Sequence, residues 1–393
     1  PKSLPECLPM TLTPSPADPL STLDPWLHEL QDWIACESPS ADTAAVTRMM
    51  ELVARRAQAK GLRTESIQLA GTPAPALLVS NRAAGDDRAG ILIIGHLDTV
   101  HPAGTLARNG WRCVDDRLYG PGIYDMKAGV YLALEALGEL QAAGGRTALP
   151  VDMLLVPDEE IGSIHSRTLT EDWARRSRYG LVCEPARART GYCVTARKGT
   201  GMLRVVAHGR PSHAGVQHDK GRSAIREMAH QVLAIEAMTD YAQGVTVSVG
   251  LIEGGTTRNV VPARCEIFAD FRVPDQARGD ALLARMRALS PRDADVTLEI
   301  TAEMNRPPME PSDATLALLA RAQACASQAG WTLGAAPMTG GGSDANFAAA
   351  AGLATLDGLG PDGDGAHTLD EYILVSTLAQ RLAFWRLLLQ SLD

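Results

Sequence analysis

Short aliphatic runs and longer amphipathic stretches alternate through the first half of the chain. Asp24-Pro25 opens a helix, since proline suits a first helical turn, and a second helical pattern covers residues 40–60. Strand-like runs follow in "SIQL", "ALLVS" and "GILIIGHLD". The stretch "MKAGVYLALEALGELQAA", residues 126–143, reads as a long helix stopped by Gly144-Gly145. A strand "VDMLLVPDEE", a helix over residues 167–176 and a strand "YGLVCEPA" come next. Unbroken apolar strands between amphipathic helices predict an α/β fold, a mixed or parallel sheet with helices on both faces.

The middle of the chain has another rhythm. Strand "GMLRVVAHG", helix "RSAIREMAHQVLAIEAM", strands "GVTVSVGLIEGG" and "RCEIFADFRV", helix "QARGDALLARMRALS" and strand "DVTLEITAEM" follow in turn. That order, βαββαβ, is the ferredoxin-like split arrangement of an α+β unit. It predicts an inserted domain over residues 198–308. Residues 21–197 and 309–393 then form one discontinuous α/β domain, with a cleft between the two.

Composition narrows the function classes. The length of 393 residues exceeds one ordinary core, and 45% hydrophobic with 21% charged residues describes a globular chain. A net charge of −9 with scattered Lys and Arg gives no reason to expect nucleic acid or an anionic membrane as a partner. No apolar run reaches the length of a membrane span. Seven dispersed cysteines without a CxxC pair read as free thiols of a reducing compartment, so a cytoplasmic location is expected. Six prolines fall within residues 1–20, which read as a flexible leader.

Acids and imidazoles cluster at the ends of the apolar strands. In "ILIIGHLDTVHP", His96 and Asp98 stand two apart, so an extended chain points both to one side. A structural pair, a metal ligand with its orienting carboxylate, and part of a nucleophilic triad are all open readings. Asp125 lies between a glycine-rich turn and the long helix, where a helix cap is the blander reading. "VPDEEIGS" carries Glu159 and Glu160, "CEPA" carries Glu184, and "GDGAHTLDEY" carries His367. Taken singly, each is ordinary. Together, carboxylates converging on one sheet edge would repel one another unless cations neutralised them. Two histidines with three carboxylates suit two zinc-like ions, with cobalt or manganese as substitutes.

The motifs "GHLDTV", "YGPGIYDMKAG", "DEEIGS", "CEPA", "RPSHAG", "TRNVVPARCEIFADFR", "TGGGSDAN" and "GAHTLDEY" occur in this order. In them the chain resembles the M20 family of zinc metallopeptidases, above all its glutamate carboxypeptidase (carboxypeptidase G2-like) branch. The resemblance implies two Zn2+ per subunit. Asp125 would bridge them, His96 and Glu184 would complete one site, and Glu160 and His367 the other. It makes Glu159 the general base and Asp98 the partner of the non-liganding nitrogen of His96. It also implies that the inserted domain is a lid through which two subunits dimerise, and that His213 reaches across to stabilise an oxyanion. Asn259 and Arg272 would hold the free carboxylate of a peptide or N-acyl amino acid substrate, beside Gly341, Gly342 and Ser343. For Arg272 the blander reading is a pair with Asp270; for "TGGGSDAN", a turn capping a helix through Ser343 or Asp344. The implied reaction is cleavage of the amide to a C-terminal amino acid, as in a glutamate carboxypeptidase. "ARKGTG" resembles the acetylornithine deacetylase side of the family, so an N-acyl-amino-acid deacylase or a dipeptidase is the alternative.

Other signals fail. "GLGPDG" fits a dinucleotide fingerprint as a string, but Pro361 and the lack of a following amphipathic helix speak against it. Ser212 and Ser343 lie in no GxSxG elbow. Cys183, beside Glu184, reads as a buried structural thiol.

Overall fold

A computed structural model describes residues 25–144 and 147–393; the expected leader lies outside them. The described elements begin with α1 (Pro25–Ala35), α2 (Thr43–Ala59), β1 (Arg63–Ile67), β2 (Ala76–Ser80) and β3 (Ile91–His96). Next come α3 (Thr105–Asn109), β4 (Arg112–Val114), β5 (Arg117–Tyr119) and α4 (Ala128–Ala142). Then follow β6 (Val151–Val156), α5 (Arg167–Arg175), β7 (Tyr179–Val182) and β8 (Cys193–Val194). The middle holds β9 (Gly199–His208), α6 (Ala224–Glu236), β10 (Thr246–Gly254), β11 (Arg264–Val273), α7 (Gln276–Arg287) and β12 (Thr297–Arg306). The remainder is α8 (Asp313–Gln328), β13 (Ala335–Ala336), α9 (Ala345–Ala350), β14 (Ala354–Leu356), β15 (Gly363–Asp364), β16 (Tyr372–Leu374) and α10 (Val375–Ser391).

The fold is mixed α/β. Its main sheet runs β1-β2-β6-β3-β7-β14, parallel from β6 to β14, with β2 antiparallel to β6 and β1 antiparallel to β2. The apolar run of β3 explains why both faces are covered. Ile91 and Ile93 enter the core built with α1, α2, α4 and α10, while Leu92 and Ile94 enter the one built with α5 and α9. Exposing either set would cost about 1.5–3 kcal/mol per side chain. Helix α4 packs so closely on the end of β7 that a Cβ on Gly129 would lie 2.0 Å from the Cys183 carbonyl oxygen. Glycine is therefore required there, and the close approach brings the turn before α4 towards Glu184.

The middle elements form a second sheet, β10-β11-β9-β12, antiparallel throughout. Leu203, Val205, Phe271, Leu282 and Met286 belong to a separate core beneath α6 and α7. Strand β10 is an edge, and its Leu251 and Ile252 are exposed.

Three elements differ from the sequence expectation. Strand β1 is an edge strand starting at Arg63, ahead of "SIQL", because its charged, half-exposed residues hide the pattern. Helix α4 begins at Ala128, since Asp125 and Met126 are non-helical and joined by a cis peptide bond. A small sheet, β15-β16-β5-β4, was not legible: strands of two or three residues are too short to show alternation.

Candidate metal centre

Strands β6, β3 and β7 are parallel neighbours, so their carboxyl ends open on one edge of the sheet. After β3 the chain returns on one side as β6 and on the other as β7. That is the switch point at which α/β sheets hold ligands. His96 ends β3, Glu159 and Glu160 follow β6, and Glu184 follows β7. The turn before α4 adds Asp125, and the loop between β15 and β16 adds His367.

The Asp125 carboxylate lies between the two histidines. Its Oδ1 is 3.2 Å from His96 Nε2, and its Oδ2 is 3.3 Å from His367 Nε2. Glu160 Oε2 is 3.2 Å from the same His367 nitrogen. Ligand atoms of His96, Asp125 and Glu160 lie within 4.8 Å of one another, and so do those of His96, Glu159 and Glu184. His96 thus belongs to both groups, with Asp125 and Glu160 in one and Glu159 and Glu184 in the other.

The electrostatics fit a cation. Burial, with the charges of Asp125 and Glu159, pushes the Glu184 carboxyl well above its usual value. Burial also pushes Glu159 up to about 8, against the pull of Arg306 and His96. Burial alone would raise Asp125, but hydrogen bonds with His367 and His96 outweigh it and hold its carboxyl below the ordinary range. The bonds of His367 to Asp125 and Glu160 raise its imidazole to about 10. Glu160 Oε1 is buried with no hydrogen-bond partner in the protein. Such an oxygen costs about 1–3 kcal/mol unless something positive meets it. Mixed imidazole and carboxylate donors suit a zinc-type divalent ion.

Asp98 has more than one task. His96 Nδ1 is 3.0 Å from the Asp98 main-chain oxygen and 3.4 Å from its Oδ1. The same carboxylate accepts the N–H groups of Glu159 at 3.1 Å and Glu160 at 3.2 Å, and the Ser40 hydroxyl at 2.7 Å. It thereby joins the end of β3 to the turn after β6.

Sequence reasoning missed several residues. Arg306, at the end of β12, is 6% exposed, and its Nη2 donates to Glu159 Oε1 at 2.7 Å, Ser163 Oγ at 2.9 Å and Asp344 Oδ1 at 3.3 Å. Buried Arg197 donates to Asp357 at 2.6 Å and to the Gly341 carbonyl at 2.9 Å. Buried Glu371 receives the N–H groups of Gly122, Tyr124 and Asp125. An arginine placed just before "PP" could have marked the end of an inserted strand, but its partners lie far off in sequence.

The substrate-side residues are more dispersed. His213 is exposed; it bridges to Val260, and its Nδ1 accepts from Gly215 N at 3.2 Å. Asn259 is also exposed and accepts from Ala214 N and Thr257 Oγ1. Arg272 donates twice to Asp270, each bond 2.8 Å, the blander arrangement, and its Nη1 reaches the Gly340 carbonyl at 3.3 Å. Ser343 is fully buried, donating to Asp357 at 2.6 Å and capping Ala345 N. Gly342 packs against Arg306, where a Cβ would lie 2.8 Å from Arg306 Cδ. Cys183 is a buried thiol pushed well up by burial.

An α/β sheet that gathers imidazoles and carboxylates around a place fit for a divalent cation is the framework of a metal-dependent hydrolase. The chain belongs to peptidase family M20/M25/M40, whose family model matches residues 92–391. It is similar to carboxypeptidase G2 of Pseudomonas sp. (strain RS-16), 33% identical over 74% of this chain and 71% of that protein. It is also similar to acetylornithine deacetylase of Myxococcus xanthus, 29% identical over 62% of this chain and 67% of that protein. The solved aminopeptidase PepT from Bacillus cereus ATCC 10987 shares the fold, with a TM-score of 0.74 at 22% identity over 93% of this chain and 98% of that one. Among the described residues no helix is long and apolar enough to cross a membrane.

Proposed function

We propose that this M20 hydrolase holds two zinc ions and cleaves the amide bond to a C-terminal amino acid of a peptide or N-acyl substrate, with glutamate as the favoured residue. The observation that carries the two-ion reading is Asp125, whose two oxygens face two different histidines. His96 and Glu184 would hold one ion with it, Glu160 and His367 the other. Bound there, the ions would acidify water and polarise the scissile carbonyl.

The protein's own groups do the rest. Glu159 is the general base, taking a proton from the attacking water and returning it to the leaving nitrogen. Its Oε1 is occupied by Arg306, which leaves Oε2 for proton transfer. Arg272 meets the substrate carboxylate with a planar fork once it exchanges Asp270 for substrate, and Asn259 assists. Residues 198–308 act as a ferredoxin-like lid on the discontinuous catalytic domain, residues 21–197 and 309–393. Two chains dimerise through this lid, a reading supported by exposed Leu251 and Ile252 on edge strand β10 and Leu233 on α6. His213 then serves the partner's site as the oxyanion donor. A cytoplasmic setting accords with the buried thiols of Cys183, Cys193, Cys265 and Cys325, none of them in a disulfide.

The second reading keeps this centre for an N-acyl-amino-acid deacylase, favoured by the likeness to acetylornithine deacetylase. Zinc-loaded protein assayed by chromatography against folyl-glutamate, dipeptides and N-acetyl amino acids separates the two. Release of glutamate at the highest kcat/KM supports the carboxypeptidase. Preference for the N-acetyl series overturns it in favour of the deacylase.

A further inference from the structure

We propose that Glu371 is a positioning residue that sets the distance between Asp125 and His367, an inference that rests on reading those two residues as metal ligands. Glu371 is 1% exposed, and every acceptor position its carboxylate uses is filled from a segment that bears an expected ligand. Its Oε1 accepts Tyr124 N at 2.8 Å and Asp125 N at 2.9 Å. Its Oε2 accepts Gly122 N at 2.9 Å and lies 2.6 Å from His101 Nε2.

The geometry explains why this grip falls on the metal centre. Asp125 is non-helical, at φ −114° and ψ 95°, and the N–H groups around it precede α4. Buried backbone N–H groups outside a helix or sheet ladder need another acceptor, and here a side chain from far along the chain supplies it. Holding Asp125 N fixes the Cα from which its carboxylate reaches between His96 and His367. Glu371 is also four residues past His367. The strand that follows it, β16, pairs Tyr372 with Tyr119 of β5, just before the Asp125 turn. His101 in turn lies on the segment that follows His96 after β3. One buried carboxylate thus clasps the chain beside three expected ligands.

Burial makes this an exacting arrangement. A carboxylate out of water is tolerated only when its oxygens are fully bonded. The isosteric amide would turn an NH2 towards backbone donors and lose at least one of the four contacts. Substituting groups that orient metal ligands weakens metal binding by about 10- to 100-fold.

The test is a zinc titration of purified full-length protein against a chromophoric chelator, which reads affinity without turnover. Glu371→Gln should raise the zinc dissociation constant about 10- to 100-fold while circular dichroism keeps its wild-type form. His101→Gln, which disturbs one contact of the four, should shift it the same way by less, and serves if Glu371→Gln does not fold. Zinc affinity within threefold of wild type in folded Glu371→Gln, or in His101→Gln should the first variant not fold, overturns the proposal. So does a variant that loses thermal stability without losing zinc affinity, since that marks a purely structural group. A wild-type protein that takes up no zinc removes the metal-centre reading itself, a result distinct from unchanged affinity in the variants.

Discussion

The Arg306 guanidinium lies 2.7 Å from Glu159 Oε1, so the end of β12 touches the proposed base directly. Nη2 of the same side chain reaches Ser163 and Asp344. Burial outweighs Arg306 at Glu159, whose carboxyl stands at about 8. Removing the cation can only raise it further, and a base that is protonated cannot act. Arg306→Met should therefore move the acidic limb of the kcat/KM profile to higher pH. Loss of a charged hydrogen bond, about 1.5–3 kcal/mol, should lower kcat/KM at neutral pH by about 10- to 100-fold. Arg306→Lys keeps the charge and should shift the limb less. A profile unmoved in the methionine variant would leave Arg306 as packing alone.

Glu159 can also be tested against its other possible role. It groups with His96 and Glu184 closely enough to share an ion, so geometry alone permits a ligand. If it is the base, Glu159→Ala should keep near two zinc ions per chain while turnover falls by about 10²- to 10⁴-fold. Metal analysis by mass spectrometry beside a hydrolysis assay decides. Loss of one ion would make Glu159 a ligand.

What could be read in advance follows from how each residue is recruited. His96, Glu159, Glu160 and Glu184 end apolar strands, so a pattern of burial pointed to them. Asp125 and His367 needed the motif order, because glycine-rich turns have no period. Arg306 left no trace, and Asp344 showed only as a helix-cap candidate, since a bond between residues 38 apart depends on tertiary packing. Glu371 stood in plain view in "GAHTLDEY", yet its partners are mostly backbone N–H groups, which every sequence has. The main sheet was legible from unbroken apolar runs such as β3, and the βαββαβ order from strands long enough to alternate, such as β11. The small sheet was not.

Glu227 offers a pH test remote from the metal centre. It is buried in α6 and accepts Gln231 Nε2 at 2.7 Å, Arg292 N at 3.0 Å and Asp293 N at 3.0 Å. Burial alone would raise its carboxyl, but these hydrogen bonds outweigh burial and lower it. A lowered carboxyl stabilises the fold above its unfolded value of 4.5, and that gain is lost as pH falls through the folded value. Glu227→Gln should cost about 1–3 kcal/mol at neutral pH in urea unfolding. The gap from wild type should narrow below the unfolded value. A gap that is constant with pH would show that packing, not charge, holds α6 to the segment before β12.

His213 poses the question of which subunit it serves. It is exposed, and its described contacts are with Val260, Gly215, Val216 and Gln217, not with the residues around Asp125. If it acts across a dimer, His213→Ala and Glu159→Ala chains should each be nearly inactive alone, losing an oxyanion donor worth about 3 kcal/mol in one case and the base in the other. Mixed dimers behave differently. The site of the His213→Ala chain keeps its own Glu159 and receives an intact His213 from its partner. Random exchange makes half of the dimers mixed, each with one complete site, so activity should recover to about a quarter of wild type. Mixing the variants after mild dissociation and assaying over time reads this directly. A histidine acting within its own chain would restore nothing, because no chain in the mixture would carry both residues.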